Sequence, residues 1–370
     1  MNNEIILVGP VLPFRGGIAQ YNTLLFRQLL VSGRCQMGVS FSRQYPRWLY
    51  PGENDRDTTQ LEYREPGIAY SIDSLKPWTW WRSARAISAR KPQLVVFHWW
   101  TVFWLPCFMF MLTVLKHRGI CTALICHNLV DHDAKGLKAF LSKRILSRPD
   151  AFVAHSSEHA QVLRHLYPHA PLVHHPIPAY GHYPEAKGRL HKRGRLELLF
   201  FGFIRPYKGL DLLVQALGQL NDQEVFLTVV GEHWGDPTEL RAQAAEVPNI
   251  ELKLAYTSDE EAAEYFHRAD LVVLPYRQAT GSAVAALAQH YDKPVLATRV
   301  GGLPDVVIDG VTGYLIPPDD STTLASTIGH ITRDEAKKLA DGVRDFKSRW
   351  DWASLERELG HLASMIRTST

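Results

Sequence analysis

The sequence predicts an α/β protein made of two doubly wound domains in tandem, each a parallel sheet covered by helices. Short apolar runs alternate with segments of helical period along the whole chain, and parallel strands joined this way need a helical crossover between them. At 370 residues the chain exceeds one ordinary hydrophobic core, so about two domains are expected. Charge divides along the same line. Residues 1–180 carry 20 Lys/Arg against 11 Asp/Glu and residues 181–370 carry 21 against 27, which resolves the net +3 into +9 and −6. Such a split points to two domains with different partners. Apolar residues at 46% and charged residues at 21% exclude disordered, collagen-like and coiled-coil chains. The basic residues of the front half are dispersed and no reader motif accompanies them, so nucleic acid is not expected as a partner. An anionic membrane surface suits that half better.

The elements follow in order. Ile5–Val8 is a first strand, because the N-terminus has neither the positive region nor the cleavage site of a signal peptide. A Gly/Pro-rich turn leads into a helical segment at Ala19–Leu30. From Leu94 to Leu115, 22 residues contain no acid, Lys or Arg, long enough to span a bilayer. His98, Thr101, Pro106 and Thr113 interrupt that stretch, so it reads as a buried strand at Leu94–Phe97 and a core helix at Phe103–Leu115. Thr122–Cys126 and Ala151–Ala154 are further strands, with the basic amphipathic helix Lys135–Arg148 between them. These runs make up a first domain, residues 1–180. Prolines 176, 178 and 184 and the basic run Lys187, Arg189, Lys192, Arg193 and Arg195 mark an interdomain linker at 181–195. Alternation resumes over 196–349 with strands at Leu196–Phe201, Val225–Val230, Leu271–Leu274 and Val295–Ala297 and helices at Leu210–Leu220, Glu260–His267 and Ser282–His290. Residues 350–370 form a C-terminal helix, apolar at helical spacing from Trp352 to Ile366. Cys35, Cys107, Cys121 and Cys126 have no C-x-x-C pairing and no ligand spacing, which suggests buried free thiols, no metal and a cytoplasmic location.

Ligands of open α/β sheets sit at the carboxyl ends of strands, so the residues after each strand were weighed for chemistry. Gly16-Gly17 closes the turn after the first strand; it is either a tight turn or a place where backbone N–H groups meet an anion. His127-Asn128 follows Thr122–Cys126, with Asp131, His132 and Asp133 close behind. A strand-tip histidine can act as acid, base or hydrogen-bond donor, and the five-residue interval between His127 and His132 suits no helical metal pair. In Gly202-Phe203-Ile204-Arg205-Pro206-Tyr207-Lys208-Gly209, Arg205 and Lys208 are two cations able to reach one diphosphate at a helix start. Thr280-Gly281-Ser282 places N–H groups and an N-cap where sugar hydroxyls or a phosphate can be held. Trp78 and Trp81, in Pro77-Trp78-Thr79-Trp80-Trp81-Arg82, are aromatic faces of the kind that stack on sugars or lie at membrane interfaces.

Taken together, these residues resemble glycosyltransferase family 4. The matching features are Gly16-Gly17, His127 after a central strand, Lys208-Gly209, and the run Lys293-Pro294-Val295, Gly301-Gly302-Leu303-Pro304-Asp305, Asp309-Gly310 and Gly313, in order across nearly the whole chain. The resemblance implies the GT-B fold, two Rossmann-like domains with an interdomain cleft, and a retaining transfer. The back domain would bind a nucleotide-diphosphate sugar as co-substrate; no other cofactor and no metal would be required. The family's lysine corresponds to Lys208 and its nearby cation to Arg205, although Phe203 stands where an arginine usually follows the glycine. His127 would contact the donor sugar, with Gly16, Gly17 and Thr280–Ser282 as further donor contacts. The front domain would bind the acceptor, bordered by Trp78, Trp81 and His132. The chain departs from the family at its paired glutamates, whose positions hold Ala279 and Leu287; backbone groups of Thr280–Ser282 would replace the first. The expected activity is sugar transfer to a glycan or lipid-linked glycan in surface polysaccharide or glycolipid synthesis, at the inner face of the plasma membrane if the Lys135–Arg148 helix lies on anionic lipid. A nucleotide-sugar 2-epimerase of similar fold and a catalytically degenerate assembly partner are the alternatives.

Overall fold

The structure is a computed structural model that describes residues 4–46, 48, 55–56, 62–129, 137–181, 183–233 and 235–368. It divides into two compact units, Met1–His175 with Trp352–Thr370, and Pro176–Asp351.

The first unit runs β1 (Ile5–Val8), α1 (Gly17–Val31), β2 (Gly38–Arg43), β3 (Ile68–Asp73), α2 (Pro77–Arg90), β4 (Leu94–Trp99), α3 (Leu105–His117), β5 (Thr122–Cys126), α4 (Leu137–Leu146), β6 (Ala151–Ala154), α5 (Ser157–Leu166) and β7 (Leu172–His174). Its seven strands pair in the order β3-β2-β1-β4-β5-β6-β7, all in parallel. Every residue of β1, β4, β5 and β6 is buried, as expected of strands covered on both faces. The long uncharged stretch is core: Trp99 and Trp104 are fully buried, and Trp104 stacks on Phe41 at 4.1 Å. Among the described residues no helix is long and apolar enough to cross a membrane. Cys35, Cys107 and Cys126 are buried free thiols, whereas Cys121 is only half-buried.

The second unit runs β8 (Leu196–Phe201), α6 (Leu210–Leu220), β9 (Val225–Val230), α7 (Thr238–Ala245), β10 (Ile250–Lys253), α8 (Asp259–Arg268), β11 (Leu271–Leu274), α9 (Ala283–His290), β12 (Val295–Thr298), β13 (Gly313–Ile316), α10 (Ser321–His330) and α11 (Arg333–Arg349). Its parallel sheet has the order β10-β9-β8-β11-β12-β13. The basic run at 187–195, expected as a linker, lies within this unit. Lys187 N and Arg189 N donate to Glu264 at 2.6 and 2.7 Å, Lys192 pairs with Asp270, Arg193 with Glu197 at 2.9 Å, and Arg195 with Asp222 at 2.7 Å. Glu197, Glu264 and Asp270 are buried, and a buried carboxylate needs a cation or N–H donors. Burial of acids, rather than solvation of a tether, explains the run.

The chain ends on α12 (Trp352–Thr368). This helix, expected at 350–370, is part of the first unit. Leu355, Leu359, Leu362 and Ala363 are completely buried, and Glu356 pairs with Arg34, just after α1, at 2.7 Å while accepting from Gln28 of α1 at 3.2 Å. Its apolar stripe therefore completes the front core. Losing a buried leucine side chain costs about 2–5 kcal/mol, so three of them approach the roughly 5–15 kcal/mol that holds a whole domain. Deleting residues 352–370 is expected to abolish cooperative unfolding of the first unit while Pro176–Asp351 survives limited proteolysis, as followed by mass spectrometry of the fragments.

Candidate functional site

In each sheet the strand order reverses once, between β1 and β4 and between β8 and β11. The crevice outside the carboxyl ends at such a reversal is where open α/β sheets bind ligands.

In the first unit that edge is occupied by histidines. His98 is carried on β4, His127 directly follows β5 and His155 directly follows β6. His98 Nδ1 lies 2.9 Å from His127 Nε2, and the two rings stack at 5.2 Å. His155 sits 5.6 Å from His127, with its Nδ1 2.7 Å from the His175 carbonyl. Tyr21, on the second turn of α1, meets all three rings edge-on, at 5.7, 5.2 and 4.9 Å for His98, His127 and His155. Burial pushes His98 down to about 3 and His155 to about 4, and holds His127 well below its usual range, helped there by His98 and His155. All three imidazoles are therefore neutral at physiological pH.

The turn before α1 is tied to this cluster. A Cβ on Gly9 would lie 3.0 Å from His98 Cδ2 and from Asn22 Nδ2, so the backbone passes close to both side chains. Asn22 Nδ2 donates to the Pro10 carbonyl at 2.9 Å, and Leu12 N to Thr23 Oγ1 at 3.0 Å. Gly16, at φ +107°, caps α1, and no other atom lies within 4 Å of its missing Cβ. Among the described residues, the amino end of α1 is thus open at Gly16.

In the second unit the edge carries cations. Lys208 is buried just before α6, its Nζ 5.5 Å from the Tyr276 ring centroid and 3.4 Å from where a Cβ on Gly202 would lie. Among the described residues Lys208 forms no ion pair. Burial, and then Arg205, lower its pKa to about 8; it remains mostly charged at pH 7. Arg277, by contrast, is engaged, pairing with Asp211 at 2.6 Å and Asp319 at 2.8 Å and donating to the Pro206 carbonyl at 2.8 Å. It locks the loops rather than facing a ligand. Ser282 caps α9 by accepting from Ala285 N at 3.2 Å, and it hydrogen-bonds the buried Tyr276. Thr280 and Gly281 lead into that cap. The two glutamate positions differ in kind: Leu287 is packed in the apolar cluster with Val295 and Leu303, while the Ala279 carbonyl would be 1.4 Å from a Cβ on Gly301.

Of the residues expected from sequence, the fold brings Arg205, Lys208 and Thr280–Ser282 to one edge of the back sheet, and Gly16, Gly17 and His127 to one edge of the front sheet. Trp78 and Trp81 are exposed on α2, which follows the edge strand β3 and packs on α3. His132 lies outside the described residues. His98, His155, Tyr21 and Tyr276 went unrecognised; the strand-end positions of His98 and His155 were the available signal. Among the described residues no group of three His, Cys, Asp or Glu side chains is placed to hold a metal ion.

Gly209 controls where Lys208 points. It has φ +65°, and a Cβ there would come within 2.0 Å of the Pro275 carbonyl oxygen. The left-handed conformation alone costs a side-chain-bearing residue about 1–2 kcal/mol, and the collision adds to it. Gly209→Ala is expected to lose about 2 kcal/mol or more, read as a lowered urea midpoint.

Residues 195–334 match the family model described as Glycosyl transferases group 1. The D-inositol 3-phosphate glycosyltransferase of Xylanimonas cellulosilytica is 32% identical over 237 residues, 57% of this chain and 55% of that protein. The chain spans about half the length of the curated relatives it matches. Among solved structures, sucrose-phosphate synthase from Thermosynechococcus elongatus aligns with TM-score 0.72 at 20% identity, over 99% of this chain and 100% of that one. Anabaena HepE in complex with UDP aligns with TM-score 0.74 at 15% identity, over 98% and 100%. The two-unit architecture is that of the GT-B fold.

Proposed function

For a chain of the glycosyltransferase family 4 type, we propose that the activity is transfer of a sugar from a nucleotide-diphosphate sugar to a glycan or lipid-linked glycan, with retention of anomeric configuration and without a metal. The observation that carries this reading is Lys208, an ammonium buried at a helix start with no carboxylate partner among the described residues and with Arg205 as its neighbour. Such a site lacks an anion. As the bond between the sugar and the diphosphate breaks, negative charge grows on the leaving phosphate. Lys208, Arg205 and the amino end of α6 are arranged to stabilise that charge. The leaving phosphate itself then takes the acceptor's proton. HepE, solved with UDP and with UDP-glucose, supports a nucleotide-sugar donor. Backbone N–H groups at Thr280–Ser282 and Gly16-Gly17 and the ring of His127 serve as donor contacts. Epimerisation needs acidic groups at the sugar, and Ala279 and Leu287 supply none.

The expected outcome of incubation with a panel of nucleotide sugars is a thermal shift and released nucleotide diphosphate with at least one. No shift with any nucleotide would leave only the non-catalytic alternative. Lys208→Ala is expected to lower turnover by about 100-fold or more, the scale of removing one charge-stabilising donor. Without nucleotide the variant should be no less stable than the parent below pH 8, because the depressed pKa of Lys208 means its burial costs stability there. That cost is recovered only as pH rises from about 8 towards the ordinary lysine value. Nucleotide-diphosphate affinity should fall as pH rises through about 8 and Lys208 loses its proton, and the Ala variant should lack this dependence.

The acceptor side is assigned to the first unit. On α2, Trp78 and Trp81 are 59% and 48% exposed, Lys76 sits 5.9 Å over Trp78 and Arg85 5.4 Å over Trp81. The helix contains Arg82, Arg85 and Arg90 and no acid. On α4, Phe140 is exposed beside Lys143 and Arg144. Indole faces among cations suit a lipid-linked acceptor presented at an anionic bilayer. Flotation with vesicles containing anionic phospholipid is expected to recover the protein, and Trp78→Ala/Trp81→Ala to reduce recovery several-fold; equal recovery with neutral vesicles would argue against the charge-based contact.

A further inference from the structure

His98 and His127 share one hydrogen bond, from Nδ1 of the first to Nε2 of the second at 2.9 Å. A single proton occupies that bond, and which ring owns it decides what His127 can do. If His127 holds it on Nε2, then His98, a neutral imidazole, must carry its own proton on Nε2. That atom is buried and has no hydrogen-bond partner among the described residues, and a buried N–H without an acceptor costs about 1–3 kcal/mol. If His98 holds the proton on Nδ1 and donates it, the atom left facing the apolar surroundings is a bare ring nitrogen. The same surroundings already accept one. His155 Nδ1 lies 2.7 Å from a backbone carbonyl, which can only accept, so His155 is protonated there and its buried Nε2, also without a partner among the described residues, is bare.

We propose that His98 is a positioning residue that donates from Nδ1 to His127 Nε2 and so fixes His127 with its proton on Nδ1, as a hydrogen-bond donor to an oxygen of the transferred sugar and not as a base. This rests on the reading of His127 as a donor-sugar contact. It removes the imidazole from proton transfer, consistent with the leaving phosphate taking the acceptor's proton. Among the described residues the ionisable groups around His127 are His98, His155 and His159 and the Tyr21 ring; burial keeps His98 and His155 neutral alongside it. None of them supplies a carboxylate that would favour an imidazolium.

Long-range proton–nitrogen-15 correlation spectra of the full-length protein distinguish protonated from bare ring nitrogens, with His127→Gln and His98→Asn used for assignment. The expected spectrum has His127 protonated on Nδ1 and bare on Nε2 at neutral pH; the reverse pattern overturns the proposal. Because no substrate is needed, the result stands apart from the activity. Failure of every nucleotide sugar to be used would sink the transferase reading and leave the tautomer, whereas an active enzyme with His127 protonated on Nε2 would sink only the tautomer. Kinetically, His98→Asn keeps an amide N–H donor and is expected to retain turnover within a few-fold. His98→Leu should lower kcat by about 10–100-fold, the range for removing a group that orients a functional ligand, with a much smaller change in KM. Equal kcat losses in the Asn and Leu variants would overturn the donor role, since a purely structural contribution gives no rescue.

Discussion

Parallel pairing is the constraint from which the rest follows. When all strands of a sheet run the same way, every crossover needs a helix and every strand ends on the same edge. Residues far apart in the chain are then delivered side by side simply because each follows a strand. His98, His127 and His155 meet for that reason, as do Lys208, Tyr276 and Ser282 in the other sheet. The reversal of strand order then opens a gap between neighbouring crossovers, the place where open α/β sheets bind ligands.

The two edges solve opposite electrostatic problems. The front one is buried and neutral: imidazoles discharged by desolvation, held by ring contacts with Tyr21. The back one retains a positive charge at some cost to stability, since Lys208 keeps an ammonium where water is largely excluded. Net charge conceals this arrangement. Several of the 27 acids of the back half are buried and matched by the segment 187–195, and the net −6 summed over the half says little about the potential beside Lys208.

Much of this was legible in the sequence, for identifiable reasons. Buried parallel strands are largely apolar runs, which is why β4, β5 and β11 were recognisable, and β8 despite Glu197. Lys208-Gly209 was recognisable because a cation beside a glycine at a helix start is a local pattern. The buried role of 187–195 was not, because it is set by Glu264, which accepts from backbone N–H groups of the segment, and by Asp270, which pairs with Lys192, 75 to 78 residues away. Nor was the His98–His127 bond, set by the register in which His98 lies opposite Ile125 of β5. Trp80, read as one of an aromatic cluster, is distinguished from its exposed neighbours by a 2.8 Å hydrogen bond to the Asp73 carbonyl; helical phase separates the three indoles, and composition does not.

The placement of α12 with the first unit bears on how the protein is made. Pro176–Asp351 is one uninterrupted length of chain, whereas the first unit is assembled from segments on either side of it. On the ribosome, domains usually fold in the order in which they emerge. Here the back unit is fully synthesised before the helix that completes the front core exists. The front core, with the surface meant for Leu355, Leu359 and Leu362, can therefore be completed only after the whole back unit has been synthesised.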